Sequence, residues 1–419
     1  METLLFPSAK PRPNSLKPDF SETEPAWGSH RFSNKQLSRR CRLFRMMNIP
    51  GMVYVGANIL TWMNQKGILR KWMIAPHFNI FCGGQTLEAC QSTIKELGRY
   101  GIQSIPDYSV EGGGNEESFK ATTKEICRSI KFAARNGNVS FAVFKLSGLE
   151  TIEFLSSISK DLQQDKIIPS HAAWARWKKL TRRVEEICKC AYAHKVRVMI
   201  DAEESWIQYA IDSLANEMMQ KFNQQEVIVV NTYQLYRVDG FSKLQADHQT
   251  ALNRGYLLGA KIVRGAYMEK ERTFAKENGL TSPIQPTKSA TDKAYNKALE
   301  HCIQHNDSIL LFAGTHNEAS IHHLISLMHL YGVSKNSPNV HFSQLYGMGD
   351  NLSFILAKHG YNISKYLPYG KATECLPYLI RRAYENTASN GMVSRELQFL
   401  EKEVERRSLA IRRNCLYTF

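Results

Sequence analysis

From residue 101 onward the chain repeats one pattern. A short run of β-branched and aromatic residues ends in polar side chains, and a helix-length amphipathic segment follows. The runs fall at 101–112, 139–148, 196–205, 227–237, 259–267, 309–318, 340–349 and 364–370. Stretches such as VMI (198–200) and VIVV (227–230) are apolar throughout and do not alternate, which predicts strands buried on both faces. Eight such strands separated by helices, within roughly 280 residues, predict a parallel (β/α)8 barrel. An open doubly wound sheet is the competitor. The glycines at 112–114 lack the GxGxxG spacing that a dinucleotide-binding strand–turn–helix requires.

Upstream the pattern changes. Residues 1–33 are expected to be a flexible arm, and 34–100 a helical region with apolar spacing through Leu43, Met46 and Met47, then through Leu87, Cys90 and Ile94. The barrel is expected over 101–390, with a C-terminal helix and basic tail over 391–419. The most apolar run, 46–63, is interrupted by Asn48, Pro50, Gly51 and Asn58. It is too short and too broken to span a bilayer, so it is expected to lie on a membrane or to pack on the domain.

Composition adds a core and a charge. Of the 419 residues, 43% are hydrophobic and 10% aromatic, enough for a sizeable interior. The net charge is +15. Residues 1–75 hold twelve Lys/Arg against four Asp/Glu, so +8 of it lies there. No motif interleaves these cations with aromatics, which argues against nucleic acid and points to an anionic membrane surface. The nine cysteines are scattered, and the nearest pair, Cys188 and Cys190, is neither a CxxC nor a zinc knuckle. Reduced thiols in an intracellular compartment are expected. The first twenty-six residues are Pro-rich and polar, unlike a secretory signal, while Arg39, Arg40, Arg42 and Arg45 leave a transit peptide open.

In a barrel of this kind chemistry sits at the C-terminal ends of the strands. Those positions hold Asp107 and Glu111, Lys145, Asp201 with Glu203 and Glu204, Asn231 with Gln234, Arg264, Thr315-His316-Asn317, Gln344 with Tyr346, and Tyr366. The helix after the last strand, with Thr373 expected as its cap and Pro377 in its first turn, places Tyr378, Arg382 and Glu385 on one face. Arg381 lies one turn before Glu385. Two adjacent guanidiniums suit bidentate capture of a carboxylate, although an ordinary solvated ion pair fits the same letters. With Lys145, Lys261 and Arg264 they give a cationic mouth suited to a phosphate-bearing cofactor and a carboxylate substrate. No metal is expected, because His316 lacks a second His or Cys at ligand spacing. Lys145 has two readings, a Schiff-base lysine or a counter-charge for a bound carboxylate.

The motifs GAKIVRGAYMEKER (259–272), KSATDKAYN (288–296), GTHNEASI (314–321), QLYGMGDNL (344–352) and YLPYGKATECLPYLIRRAYEN (366–386) together resemble the proline dehydrogenase (proline oxidase) family. DYSVEG (107–112), FKLSG (144–148) and MIDAEESW (199–206) extend the resemblance, which covers about residues 82–390. VVNTYQLYR and KIVRGAYM are closer to the monofunctional branch of eukaryotes and some bacteria than to the bifunctional bacterial fusions. The resemblance implies a distorted barrel with its last helix over the mouth, non-covalent FAD, and oxidation of L-proline to 1-pyrroline-5-carboxylate. It also implies reoxidation by a membrane quinone, ubiquinone or menaquinone. The enzyme would be peripheral on the bacterial inner membrane, or on the matrix side of the mitochondrial one.

Carried over by position, Arg381, Arg382 and Lys145 would cage the substrate carboxylate, with Tyr366 and Tyr378 shaping the pocket. Asp201 and Glu385 would support them, and Glu111 would form an ion-pair gate with Arg381. Asn231, Lys261, Arg264, Gly265, Ala266, Tyr267, Thr315, His316, Asn317 and Gln344 would line the flavin. A Schiff-base aldolase and a catalytically inactive membrane-associated barrel are the alternatives.

Overall fold

The computed structural model describes residues 18, 20, 31–49, 51–109, 114–164, 170–388 and 392–416. Four helices come first: α1 (Asn34–Met47), α2 (Met52–Gln65), α3 (Lys71–Phe81) and α4 (Gln91–Gly98). The first half of the barrel follows as β1 (Gln103–Tyr108), α5 (Glu116–Ala134), β2 (Phe141–Phe144), α6 (Ile152–Gln163), α7 (His171–His194), β3 (Arg197–Ile200), α8 (Ser205–Phe222) and β4 (Val229–Gln234). The second half runs α9 (Gly240–Arg254), β5 (Leu258–Val263), α10 (Met268–Glu277), α11 (Lys288–Gln304), β6 (Ile309–Gly314), α12 (Glu318–Leu330), β7 (Val340–Leu345), α13 (Asp350–Lys358) and β8 (Ile363–Tyr369). Two more helices close the chain, α14 (Leu376–Ala388) and α15 (Met392–Leu416).

All neighbouring strands pair in parallel, and β8 closes on β1 through six matched positions from Gln103–Ser364 to Tyr108–Tyr369. The expected (β/α)8 barrel is present, and the open sheet is excluded. Side chains alternate strictly. Ala142, Phe144, Val198, Ile200, Ala260 and Ile262 face the helices, while Ile105, Phe141, Val143, Met199, Val230 and Phe312 fill the barrel interior. Phe141 and Phe312 meet edge to face at 5.2 Å and close the floor.

The last barrel helix departs from the regular plan. α14 lies over the strand ends, and the outer wall beside β8 and β1 is filled from upstream by Leu87, Cys90, Ile94 and Leu97 around α4. The segment before α4 also joins β8 directly, with Gly83 donating to the Pro368 carbonyl at 2.8 Å. A second apolar cluster joins Leu37, Phe44, Ile74, Phe78 and Phe81 of α1 and α3 to Leu376, Tyr378 and Leu379 of α14 and Leu400 of α15. The N-terminal helices therefore hold α14 in place over the mouth.

The expected flexible arm is anchored at its described residues. Phe20 is buried in the main core against His322, and Arg31 forms an ion pair with Asp350 at 2.9 Å. Asp350 also takes the fully buried Lys365 at 2.9 Å. α14 begins two residues later than a Thr373 cap would give. Its first turn closes through Leu379 donating to the Cys375 carbonyl, and Pro377 still falls within that turn.

Candidate functional site

Because inward positions recur every second residue, the last interior apolar side chain of a strand is followed two residues on by a side chain at the mouth. Ile105 leads to Asp107, Val143 to Lys145, Met199 to Asp201, and Val230 to Thr232 and Gln234. These strand ends and α14 enclose a cavity of about 750 Å³, the size of a cofactor site.

Asp201 is the hub. Its Oδ1 accepts from Lys261 Nζ at 2.6 Å and its Oδ2 from the Tyr366 hydroxyl at 2.5 Å, while Lys145 Nζ lies 3.2 Å from Oδ2. Lys145 also donates to Asp107 at 3.2 Å. Burial pushes the Asp201 carboxyl up, but the ammonium groups of Lys261 and Lys145 outweigh it and bring it down to about 2. Tyr366 is raised well above the usual phenol range by burial, then by Asp107 and Asp201, so it stays a donor. Lys145 is thus engaged by two carboxylates, whereas a Schiff-base lysine needs a neutral, free amine.

The facing wall is α14. Tyr378, Arg381, Arg382 and Glu385 all line the cavity, as a 3–4 residue repeat on one helix face dictates. Arg382 reaches Glu385 at 2.5 Å and packs 5.1 Å from the Tyr378 ring centre, and Arg381 lies 5.3 Å over the Tyr267 ring. Burial raises the Glu385 carboxyl, partly offset by Arg382 and Arg381. Two buried donors on this face have no hydrogen-bond partner: the Tyr378 hydroxyl and Arg382 Nε. Leaving such donors unpaired costs about 1–3 kcal/mol each, so the pair favours an acceptor in the cavity.

The far end of the cavity is built differently. Arg264 is fixed by Asp292 at 2.7 Å, Thr315 Oγ1 at 2.7 Å and Ser320 Oγ at 2.9 Å, and stacks 4.3 Å from Tyr295. Gly265 has φ +137°, and a Cβ there would lie 2.4 Å from the Tyr236 ring, so only glycine lets the backbone pass between that ring and the cavity. Ala266 and Tyr267 follow on the cavity wall. Asn317 caps α12 by accepting from Ser320 N at 3.0 Å, and Asn317, Glu318 and Ala319 place that helix N-terminus at the cavity. Such a terminus with Arg264 and Lys288 nearby suits a phosphate group.

Gln344 donates to the Thr315 carbonyl at 3.1 Å and accepts from Ser353. His316 Nε2 accepts from Leu345 N at 3.2 Å; its Nδ1 is buried without a partner. Burial, then Lys365 and Arg382, lower the His316 imidazole to about 3, so it is neutral. Gln234 donates to the Glu203 carbonyl at 3.1 Å and leaves its Oε1 buried and unpartnered.

Of the residues expected at the site, Lys145, Asp201, Lys261, Arg264, Gly265, Ala266, Tyr267, Thr315, His316, Asn317, Gln344, Tyr366, Tyr378, Arg381, Arg382 and Glu385 converge on this one cavity. Asn231 does not. It sits at an outward position of β4, fully buried, donating to Asp212 of α8 at 2.9 Å. Alternation gives the mouth to Thr232 and Gln234 instead. Glu111 lies outside the described residues. Lys288, at the start of α11, and Glu396, on α15, also line the cavity without having been expected. Glu396 comes from outside the barrel, so no strand-end pattern could mark it. Burial and the neighbouring Asp350 raise its carboxyl to about 7.

Residues 90–395 match the family model described as proline dehydrogenase. Among curated proteins, the chain is 35% identical to the carbapenem antibiotics biosynthesis protein CarD of Pectobacterium carotovorum, covering 78% of this chain and 84% of that one. It is 33% identical to mitochondrial proline dehydrogenase 1 of Dictyostelium discoideum, over 79% of this chain and 64% of that protein. Among solved structures, proline utilization A of Bdellovibrio bacteriovorus, inactivated by N-propargylglycine, superposes with a TM-score of 0.67 at 16% identity. That likeness covers 85% of this chain and 37% of the longer one, and it bears on the fold alone.

Proposed function

The chain belongs to the proline dehydrogenase family of oxidoreductases, and from that premise we propose that it oxidises L-proline to 1-pyrroline-5-carboxylate with FAD as cofactor. The observation that carries this reading is the pair of unpartnered buried donors, Tyr378 Oη and Arg382 Nε, on the face of α14 that covers the cavity. A substrate carboxylate satisfies both. The other end of the cavity fits a dinucleotide: the α12 N-terminus with Arg264 and Lys288 suits phosphates, and the buried unpaired Gln234 Oε1 and His316 Nδ1 offer an acceptor and a donor to a polar ring. Lys261, Gly265, Ala266, Tyr267, Thr315, Asn317 and Gln344 complete that wall. Bound FAD supplies the hydride acceptor.

The chain's own residues bind and orient. Arg381, Arg382 and Lys145 surround the substrate carboxylate, and Glu385 holds Arg382 in its fork geometry. Asp201 keeps Lys145, Lys261 and Tyr366 fixed, so little reorganisation accompanies reaction. The same positive charge disfavours the protonated ring amine of proline, which has to lose a proton for oxidation.

Electrons would pass to ubiquinone or menaquinone in a membrane. α2 supports this, because it packs against α14 while Met52, Val55, Ile59 and Trp62 remain exposed at helical spacing. Met46, Ile49, Ile68 and Trp72 extend the apolar surface, and Arg39, Arg42, Lys66 and Arg70 are exposed around it. No described helix is long and apolar enough to cross a membrane, so a peripheral contact beside the mouth is the arrangement favoured. The bilayer would be the bacterial inner membrane on its cytoplasmic side, or the mitochondrial inner membrane on its matrix side. A second reading, that the oxidation serves antibiotic formation, is favoured by the similarity to CarD along 84% of that protein.

The test is a visible spectrum of the purified protein. A flavin spectrum that bleaches on addition of L-proline is expected. A colourless protein trapped by borohydride with a keto acid would overturn the reading in favour of an aldolase. Growth of a deletion strain on proline as nitrogen source separates degradation from the biosynthetic role.

A further inference from the structure

We propose that the chain carries a metal site at the opposite end of the barrel, in which His248, His301 and His305 bind one zinc ion. His248 lies on α9, and His301 and His305 stand one turn apart at the end of α11, just before β6 begins. One ring nitrogen from each lies within 4.8 Å of the other two. His248 Nδ1 and His301 Nε2 are 3.1 Å apart. Ligand nitrogens at about 2.0–2.1 Å from a tetrahedral zinc stand about 3.3 Å from each other, so two of the three are already at ligand spacing.

The groups behind two of the three rings orient their lone pairs. His305 Nδ1 donates to the His301 carbonyl at 2.8 Å, which leaves Nε2 as its lone-pair nitrogen. The Ser308 hydroxyl donates to the His305 carbonyl at 3.2 Å, so its oxygen accepts from His248 Nε2 at 3.0 Å. That leaves the lone pair of His248 on Nδ1, the nitrogen facing His301. An imidazole whose second nitrogen is pinned by a carbonyl or hydroxyl is the arrangement that orients metal ligands.

The surroundings set the class of ion and its role. Three imidazoles with no thiolate suit zinc among abundant intracellular ions, with a solvent molecule as the fourth ligand. The strands run from this end toward the cavity, so a bound ion touches neither substrate nor flavin. It would cross-link α9 to α11 and to the turn entering β6, which is a structural role. The HCIQH spacing of 301–305 is legible in the sequence, whereas His248, 53 residues before His301, joins it only through the fold.

The experiment uses the full-length flavoprotein, stripped with a chelator and titrated with zinc against a chromophoric competitor. The expected result is one zinc per chain, with binding weakened more than about 100-fold in His305→Ala and about tenfold in Ser308→Ala. Zinc should raise the Tm of the wild type and leave that of His305→Ala unchanged. Cobalt should give a tetrahedral band to the red of the flavin absorbance, absent in that variant. Proline-dependent bleaching should be the same with and without zinc. Stoichiometric binding that survives in His305→Ala, or no stoichiometric binding by a folded wild type, would overturn the proposal.

Discussion

The Tyr366 hydroxyl donates to Asp201 Oδ2 at 2.5 Å, joining β8 to β3 across the barrel mouth. A hydrogen bond to a buried carboxylate contributes about 1.5–3 kcal/mol, so Tyr366→Phe should lower unfolding free energy by that amount in denaturant titration. Asp201→Asn should cost more, because Lys145 and Lys261 then lose a charged partner. The folded Asp201 carboxyl, at about 2, lies below its usual 3.8. Its contribution is therefore fully present above pH 3.8 and lost as pH falls through 2. Asp201→Asn should lack that part of the acid-unfolding curve.

Arg381→Met and Arg382→Met should lower kcat/KM for proline by about 10- to 150-fold each, the equivalent of about 1.5–3 kcal/mol. Flavin content should fall far less than proline affinity, because Arg264, Lys288 and the α12 N-terminus are left intact. Equal loss of flavin and proline binding would remove the carboxylate assignment.

Tyr378→Phe separates binding from folding. It deletes a buried hydroxyl that has no partner in the free protein, so stability should hold or rise slightly. Proline KM should rise by about fivefold, the loss of one hydrogen bond of about 1 kcal/mol. A stability loss beyond 1 kcal/mol would show that the hydroxyl is satisfied in the free enzyme.

Glu396 gives a neutral-range pH dependence. Burial, then Asp350, raise its carboxyl from 4.5 to about 7, partly opposed by Lys365. Between these values the folded chain keeps a proton that the unfolded chain has lost. Stability should fall as pH rises from 4.5 to 7 and level off above. Glu396→Gln should flatten that segment of a Tm-versus-pH series.

The exposed face of α2 is tested with vesicles. Ile59→Glu/Trp62→Glu should abolish co-sedimentation with anionic vesicles while turnover with a soluble dye acceptor persists. Wild-type binding should weaken with added salt, as the basic rim requires. Undiminished binding by the double variant would move the membrane contact elsewhere.

The barrel was legible because its strands are apolar on both faces and end in polar side chains, so period and punctuation agree. The site was nearly as legible, since strand ends converge by geometry alone. Asn231 shows the limit: a one-residue choice of register reverses a side chain's face, and only pairing with β3 and β5 reveals which of Asn231 and Thr232 turns inward. Arg31, Glu396 and the His248–His301 contact depend on residues brought together from distant segments, a distance over which single-sequence periodicity carries no signal.

The placement of α4 separates two demands that a regular barrel imposes on one helix. With Leu87, Cys90, Ile94 and Leu97 sealing the wall beside β8, the cavity face of α14 is released from closing the barrel. Tyr378, Arg381 and Arg382 can then be matched to a ligand in the cavity without a share in sealing the barrel wall. A fragment begun at the first strand would lose that freedom with its eighth wall.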